Sequence, residues 1–203
     1  MRTVSILGAD PGVANYGYCI LRIGVENSCI RSLKVEQFGK LNTTLRSMVK
    51  AEFSQQMLEY RLRIKELMQE FSTAAFIAER FQTRGNGGPT IELISAMLGA
   101  TSVDVQDSGG KVRLIIASQW KTAFKRNCGD LQVVYDRAKE EKISPHEVDA
   151  FLISVYGAYL IANSVPFTGI YIEKVIETLL MYRDRQIHIG ESVKRVRKKT
   201  RRR

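Results

Sequence analysis

Residues 4–23, VSILGADPGVANYGYCILRI, decide how the rest of the chain is read. Val4 to Leu7 is mostly apolar, Gly8-Ala9-Asp10-Pro11-Gly12 interrupts it, and Tyr16 to Ile23 resumes an extended pattern. That is strand, tight turn, strand, with an acid placed at the break. Outward from this unit, Ile30 to Phe38 alternates weakly and reads as a third strand. Apolar residues from Leu45 to Phe71 then recur at helical spacing without Gly or Pro, which predicts a long amphipathic helix over 43–71. Ala74 to Ala78 has the brevity and apolarity of a buried strand and ends at Glu79. A loop, Thr83 to Gly88, follows, and Pro89 opens a second helix to about Thr101. Val112 to Ile116 reads as a fifth strand, and 118–126 and 130–141 as helical pieces. A final long helix runs from Pro145 to about Asn163, with Ser144 as its cap. The order βββαβαβα, with one extra helix, is that of an α/β domain over residues 1–163. Residues 164–193 form an appendage, helical from Glu173 to Arg183, and 194–203 a tail.

The composition narrows the function. The 203 residues carry a formal charge of +10, 44% apolar content and only 15 Gly and 4 Pro, enough for one ordinary hydrophobic core. Eight of those charges, Lys194, Arg195, Arg197, Lys198, Lys199, Arg201, Arg202 and Arg203, lie in the last ten residues, so the remainder holds only +2. A terminal block of like charge repels itself, stays disordered when free, and suits the backbone of a nucleic acid. The three cysteines, at 19, 29 and 128, are odd in number and lack C-x-x-C spacing, which argues against a disulfide framework or structural zinc. No run reaches the 18 to 20 apolar residues of a membrane helix, and no signal core opens the chain, so cytoplasmic residence without a membrane partner is expected.

Three acids stand where packing favours neutral residues: Asp10 ending the first strand, Glu79 ending the fourth, and Asp149 inside the last long helix among Val148, Ala150, Phe151 and Leu152. His146 and Asp149 are three apart and share a helix face. If strands one and four are neighbours, this face can pack across both strand-end carboxylates, and such a cluster repels itself unless cations enter it. Oxygen-rich sites suit Mg²⁺ or Mn²⁺, and paired ions of this kind hydrolyse phosphodiesters.

Gly8-x-Asp10-Pro11-Gly12 with Gly17 beyond it, Glu79 within Ile77-Ala78-Glu79-Arg80-Phe81, and His146-Glu147-Val148-Asp149-Ala150 opening a long helix resemble the RuvC-like crossover junction endodeoxyribonucleases, Holliday junction resolvases of the ribonuclease H-like superfamily. The resemblance covers about residues 4–162; the appendage and basic tail beyond it suggest a bacteriophage version, acting in the host cytoplasm. It implies a five-stranded mixed sheet flanked by helices, a homodimer, and two Mg²⁺ per active site, with Mn²⁺ substituting. Asp10, Glu79, His146 and Asp149 become the metal ligands and catalytic residues, although many members carry an aspartate where His146 stands. The substrate becomes branched DNA, the four-way junction, cut by paired nicks. Lys121 resembles a basic residue near the scissile phosphate. Lys125 and Arg126 beyond it, Arg80 and Arg84 at the lip of the site, and the basic tail are expected to grip the DNA backbone.

Two other classes stay open. Sugar kinases and actin-like ATPases share the superfamily and open on an Asp-x-Gly phosphate loop, which Asp10-Pro11-Gly12 and Asp107-Ser108-Gly109-Gly110 imitate; they need two copies of the fold, so no nucleotide cofactor is expected here. A non-catalytic DNA-binding module of the same fold would leave the acids structural, and a nuclease for other branched DNA would keep them catalytic. For the dimer, the helix at 89–101 shows two apolar stripes, Ile91, Ile94 and Leu98 on one and Leu93, Met97 and Ala100 on the other. One is expected to face the sheet and the other a partner's equivalent helix.

Overall fold

The computed structural model describes residues 1–12, 15–41, 50–80, 88–162 and 172–181. Strands β1 (Arg2–Asp10), β2 (Tyr16–Glu26) and β3 (Cys29–Leu41) form an antiparallel meander. The β2–β3 turn needs only Asn27 and Ser28, both at positive φ (50° and 59°), the twist that two-residue hairpins require. Helix α1 (Lys50–Glu70) then carries the chain to β4 (Ala75–Glu79), which lies parallel to β1, and α2 (Pro89–Asp107) carries it to β5 (Lys111–Ile115), parallel to β4. The five-stranded mixed sheet has the order β3-β2-β1-β4-β5, so strands one and four are indeed neighbours. Helices α3 (Ala117–Asn127), α4 (Leu131–Glu140) and α5 (Pro145–Ala162) follow, with a last helix over 172–181.

Alternation along the central strands divides the core into two layers. Val4 and Ile6 of β1, Cys19 and Leu21 of β2 and Ile77 of β4 face α5, with Trp120 and Phe124 of α3, Val134 of α4, and Val175 and Leu179 of the last helix. Leu7 and Ala9, Tyr18 and Ile20, and Phe76 and Ala78 face the other way, onto Tyr60, Ile64 and Leu67 of α1 and Leu93, Ile94, Met97 and Leu98 of α2. Each large apolar side chain so enclosed contributes roughly 1.5–3 kcal/mol relative to an exposed one.

Helix α5 lies close to the sheet because glycines meet it. A Cβ on Gly8 would stand 2.1 Å from Ser154 Oγ and 2.7 Å from the Ala150 carbonyl oxygen, and one on Gly17 would stand 2.1 Å from the His146 carbonyl oxygen. Ser154, buried between them, donates its hydroxyl to the Ala150 carbonyl at 2.8 Å and lies 3.1 Å from that of Cys19. At the helix start, the Glu147 carboxylate accepts from both the backbone N–H and the hydroxyl of Ser144 at 2.9 and 2.6 Å, closing the reciprocal end of a capping box.

Several expectations change. Gly8 and Ala9 are not in the turn: β1 runs through to Asp10, which pairs with Gly17. Helix α2 continues six residues past Thr101, and Asp107–Gly110 is its exit turn, with Gly109 at φ 75°, rather than a phosphate loop. The two stripes of α2 do not divide between sheet and partner. Leu93 and Met97 are 0% and 2% exposed, as buried as Ile94 and Leu98, because α1 packs over the side that the sheet leaves uncovered. Arg84, with most of the 83–88 loop, and the whole 194–203 tail lie outside the described residues.

Candidate active site

Asp10 and Glu79 are the last residues of two adjacent parallel strands, one step beyond the paired Ala9 and Ala78. Alternation puts both on the face that Gly8 and Ile77 turn towards α5. The first turns of α5 lie against that edge, because the His146 carbonyl rests on Gly17 directly across the ladder from Asp10. The His146 imidazole closes the gap: its Nδ1 is 2.6 Å from Asp10 Oδ2, and beside an ionised carboxylate its N–H donates. Asp149, one turn further along α5, is 19% exposed and Asp10 16%, so both carboxylates are largely withdrawn from water.

Each acid has its own donor. Trp120 Nε1–H donates to Glu79 Oε2 at 2.8 Å, the Tyr135 hydroxyl donates to Asp149 Oδ1, and Lys121 Nζ lies 3.7 Å from Asp149 Oδ2. Among the described residues, no three His, Cys, Asp or Glu side chains stand together as a ready ligand group. The carboxylates nonetheless act on one another. Burial raises Asp10 above the ordinary aspartate range, against the His146 hydrogen bond, and the Asp149 charge raises it further. Burial likewise raises Glu79, against the Trp120 hydrogen bond, with Asp10 and Asp149 adding to it. A carboxyl whose folded pKa exceeds its unfolded one weakens the fold as pH climbs through the folded value, so this edge carries a standing electrostatic cost at neutral pH. Three carboxylates and an imidazole, with Lys121 the one ammonium ion-paired to the group among the described residues, are the donor set and charge imbalance that a hard divalent cation offsets. The residues present fit such an ion.

Thermus thermophilus RuvC superposes on the chain with a TM-score of 0.61 at 16% identity, covering 79% of this chain and 98% of that one. T. thermophilus RuvC in complex with a Holliday junction substrate gives 0.58 at 17%, covering 78% and 96%. The chain has the RuvC fold. It is a ribonuclease H-like fold, and the likeness lies in the backbone, since fewer than one residue in five is shared. No protein-family model and no curated protein sequence matches the chain.

On the RuvC fold the expected site residues fall at one edge of the sheet, with Asp10 and His146 in direct contact and Glu79 and Asp149 within electrostatic reach of Asp10. Of the expected DNA contacts, Arg80 follows β4, exposed, with its backbone N–H bonded to the Ile115 carbonyl at 2.8 Å. Lys125 and Arg126 are exposed in the last turn of α3. Lys121, from the same helix, turns back over the Trp120 ring, 4.8 Å from its centroid. Trp120 is fully buried, and its bond to Glu79 spans 41 residues, so nothing local in the sequence signals it. Tyr135 was missed for the same reason.

Proposed function

We propose that the chain is a RuvC-like resolvase: a structure-selective endonuclease that cuts four-way DNA junctions by paired, divalent-metal-dependent phosphodiester hydrolysis, as a homodimer. The observation that carries this reading is the acidic edge, where Asp10 and Glu79 end adjacent parallel strands beneath the His146–Asp149 face of α5, in a fold shared with a protein solved on a Holliday junction. Asp10, Glu79, His146 and Asp149 would hold Mg²⁺ or Mn²⁺, which when bound activates water and stabilises the leaving oxygen. His146 and Gly17 fix the attitude of Asp10, while Arg80, Arg84, Lys121, Lys125, Arg126 and the basic tail take the DNA backbone. Matched cuts in two strands require two active sites, which a two-fold dimer supplies. None of the helices among the described residues is long and apolar enough to cross a membrane.

The test is cleavage of a labelled panel of four-way, three-way, flap and linear DNA with and without Mg²⁺. Symmetric paired nicks in the four-way junction are expected. Equal cutting of linear duplex would remove the structure selectivity, and no cutting at all would favour the binding-module reading.

Because the cluster is under charged repulsion, a cation should stabilise the folded chain. At a hundredfold excess over its dissociation constant the gain is about 2.7 kcal/mol, or a rise in Tm of about 5–10 °C for a chain of this size. Thermal melts at pH 7.5 in Mg²⁺ against EDTA measure it. The increment should shrink at pH 4, where Asp10 and Glu79 take up protons, and an identical Tm in both buffers would sink the metal assignment.

Deleting residues 194–203 should weaken junction binding and keep its selectivity. With half of the eight cations engaged, the slope of log K against log salt should flatten by about 3 to 4 units. A salt titration with an unchanged slope would show the tail to be idle.

A further inference from the structure

The α3–α4 layer does more than cover the core. Trp120 is fully buried against Phe124, edge to face at 6.3 Å between centroids and 89° between planes, so its ring cannot swing. Its one polar atom ends on Glu79 Oε2. Tyr135, half-buried on α4, ends on Asp149 Oδ1, and Lys121 takes the other oxygen of the same carboxylate while lying on the Trp120 ring. Packing alone would be served by Phe at either position. What indole and phenol add is a neutral hydrogen-bond donor, which fixes one carboxylate oxygen without neutralising its charge. Each leaves Glu79 or Asp149 with charge available for a cation.

We infer that Trp120 and Tyr135 are positioning residues that set the orientation of Glu79 and Asp149 towards the metal, an inference that rests on the function proposed above. Groups of this kind commonly alter metal affinity by 10- to 100-fold without touching the ion.

The variants Trp120→Phe and Tyr135→Phe test it, with Mg²⁺ and Mn²⁺ binding followed by titration calorimetry on the full-length protein, and junction cleavage followed as a function of Mg²⁺. Each variant should bind the ion at least tenfold more weakly and need correspondingly more Mg²⁺ for half-maximal cleavage, while its rate at saturating Mg²⁺ stays within about threefold of wild type. Val175→Ala thins the same core layer from the last helix without touching either donor; it should lower Tm and leave metal affinity unchanged. Trp120 is also the only tryptophan of the chain, so the wild-type emission should shift on adding Mg²⁺ and cease to respond in Glu79→Gln. Should Trp120→Phe fail to fold, the emission and Tyr135→Phe decide. Wild type that binds and cuts, beside variants with unaltered metal affinity or a tryptophan that ignores Mg²⁺, overturns this inference and leaves the proposed function standing. Wild type that neither binds metal nor cuts overturns both.

Discussion

Replacing Asp10 by Asn is expected to reduce junction cleavage at least a hundredfold while leaving junction binding intact and the fold no less stable. The amide matches the carboxylate in shape and its oxygen can still accept from His146 Nδ1, so the contact at 2.6 Å need not break. What disappears is one negative charge of a group in which Asp10 acts on Glu79 and is acted on by Asp149. Since burial and the Asp149 charge raise the Asp10 pKa, ionised Asp10 weakens the fold at neutral pH, and its removal should hold or raise Tm in EDTA. Activity and stability should therefore move in opposite directions, which a merely structural aspartate would not produce. Rates on a labelled four-way junction, gel-shift affinity and melts measure the three quantities together. Wild-type cutting by this variant would remove Asp10 from the site.

Gly17→Ala should cost about 3 kcal/mol of stability, a fall in Tm of about 6–12 °C, and about a hundredfold in cleavage. The added methyl would meet the His146 carbonyl oxygen at 2.1 Å and its carbon at 2.6 Å, with the Glu147 nitrogen at 3.3 Å. These are backbone atoms, so no side-chain rotation relieves the clash, and the first turn of α5 must lift from the sheet. His146 and Asp149 ride on that turn, and a displacement of about 1 Å in a site of this kind is worth two orders of magnitude. Gly99→Ala, where a Cβ meets nothing within 4 Å, is the control and should match wild type or melt slightly higher. Full activity in Gly17→Ala would show that α5 does not need its close seat.

The site acids were legible because each rests on local rules. Strand alternation and the breaks after Asp10 and Glu79 are visible in a few residues, and His146 with Asp149 share a face by spacing alone. The β1–β4 adjacency, only conditional in the sequence, is met by the register Ala9–Ala78. What stayed hidden depends on partners distant along the chain. The two stripes of α2 announce an apolar helix without saying what covers it, and α1 proves to be the cover. Trp120 and Tyr135 announce bulk, whereas their roles come from hydrogen atoms aimed at carboxylates 41 and 14 residues away. Gly17 was visible as part of a motif, but its reason, a carbonyl pressed against it, exists only once α5 has docked.

The placement of β1 at the middle of the sheet also governs how the chain comes into being on the ribosome. Its α5-facing side, with Ile6 and the equivalent Cys19 and Leu21 of β2, is buried only after a helix that begins nearly three quarters of the way along the sequence has been made. Until then a nascent or prematurely terminated chain holds Asp10 and Glu79 without His146 and Asp149, beside an uncovered apolar surface of the kind that invites aggregation and degradation. The chain cannot acquire its acidic edge piecemeal. Truncated products are left with a sticky sheet and no assembled cluster, so the acidic edge is completed only with the synthesis of the last long helix.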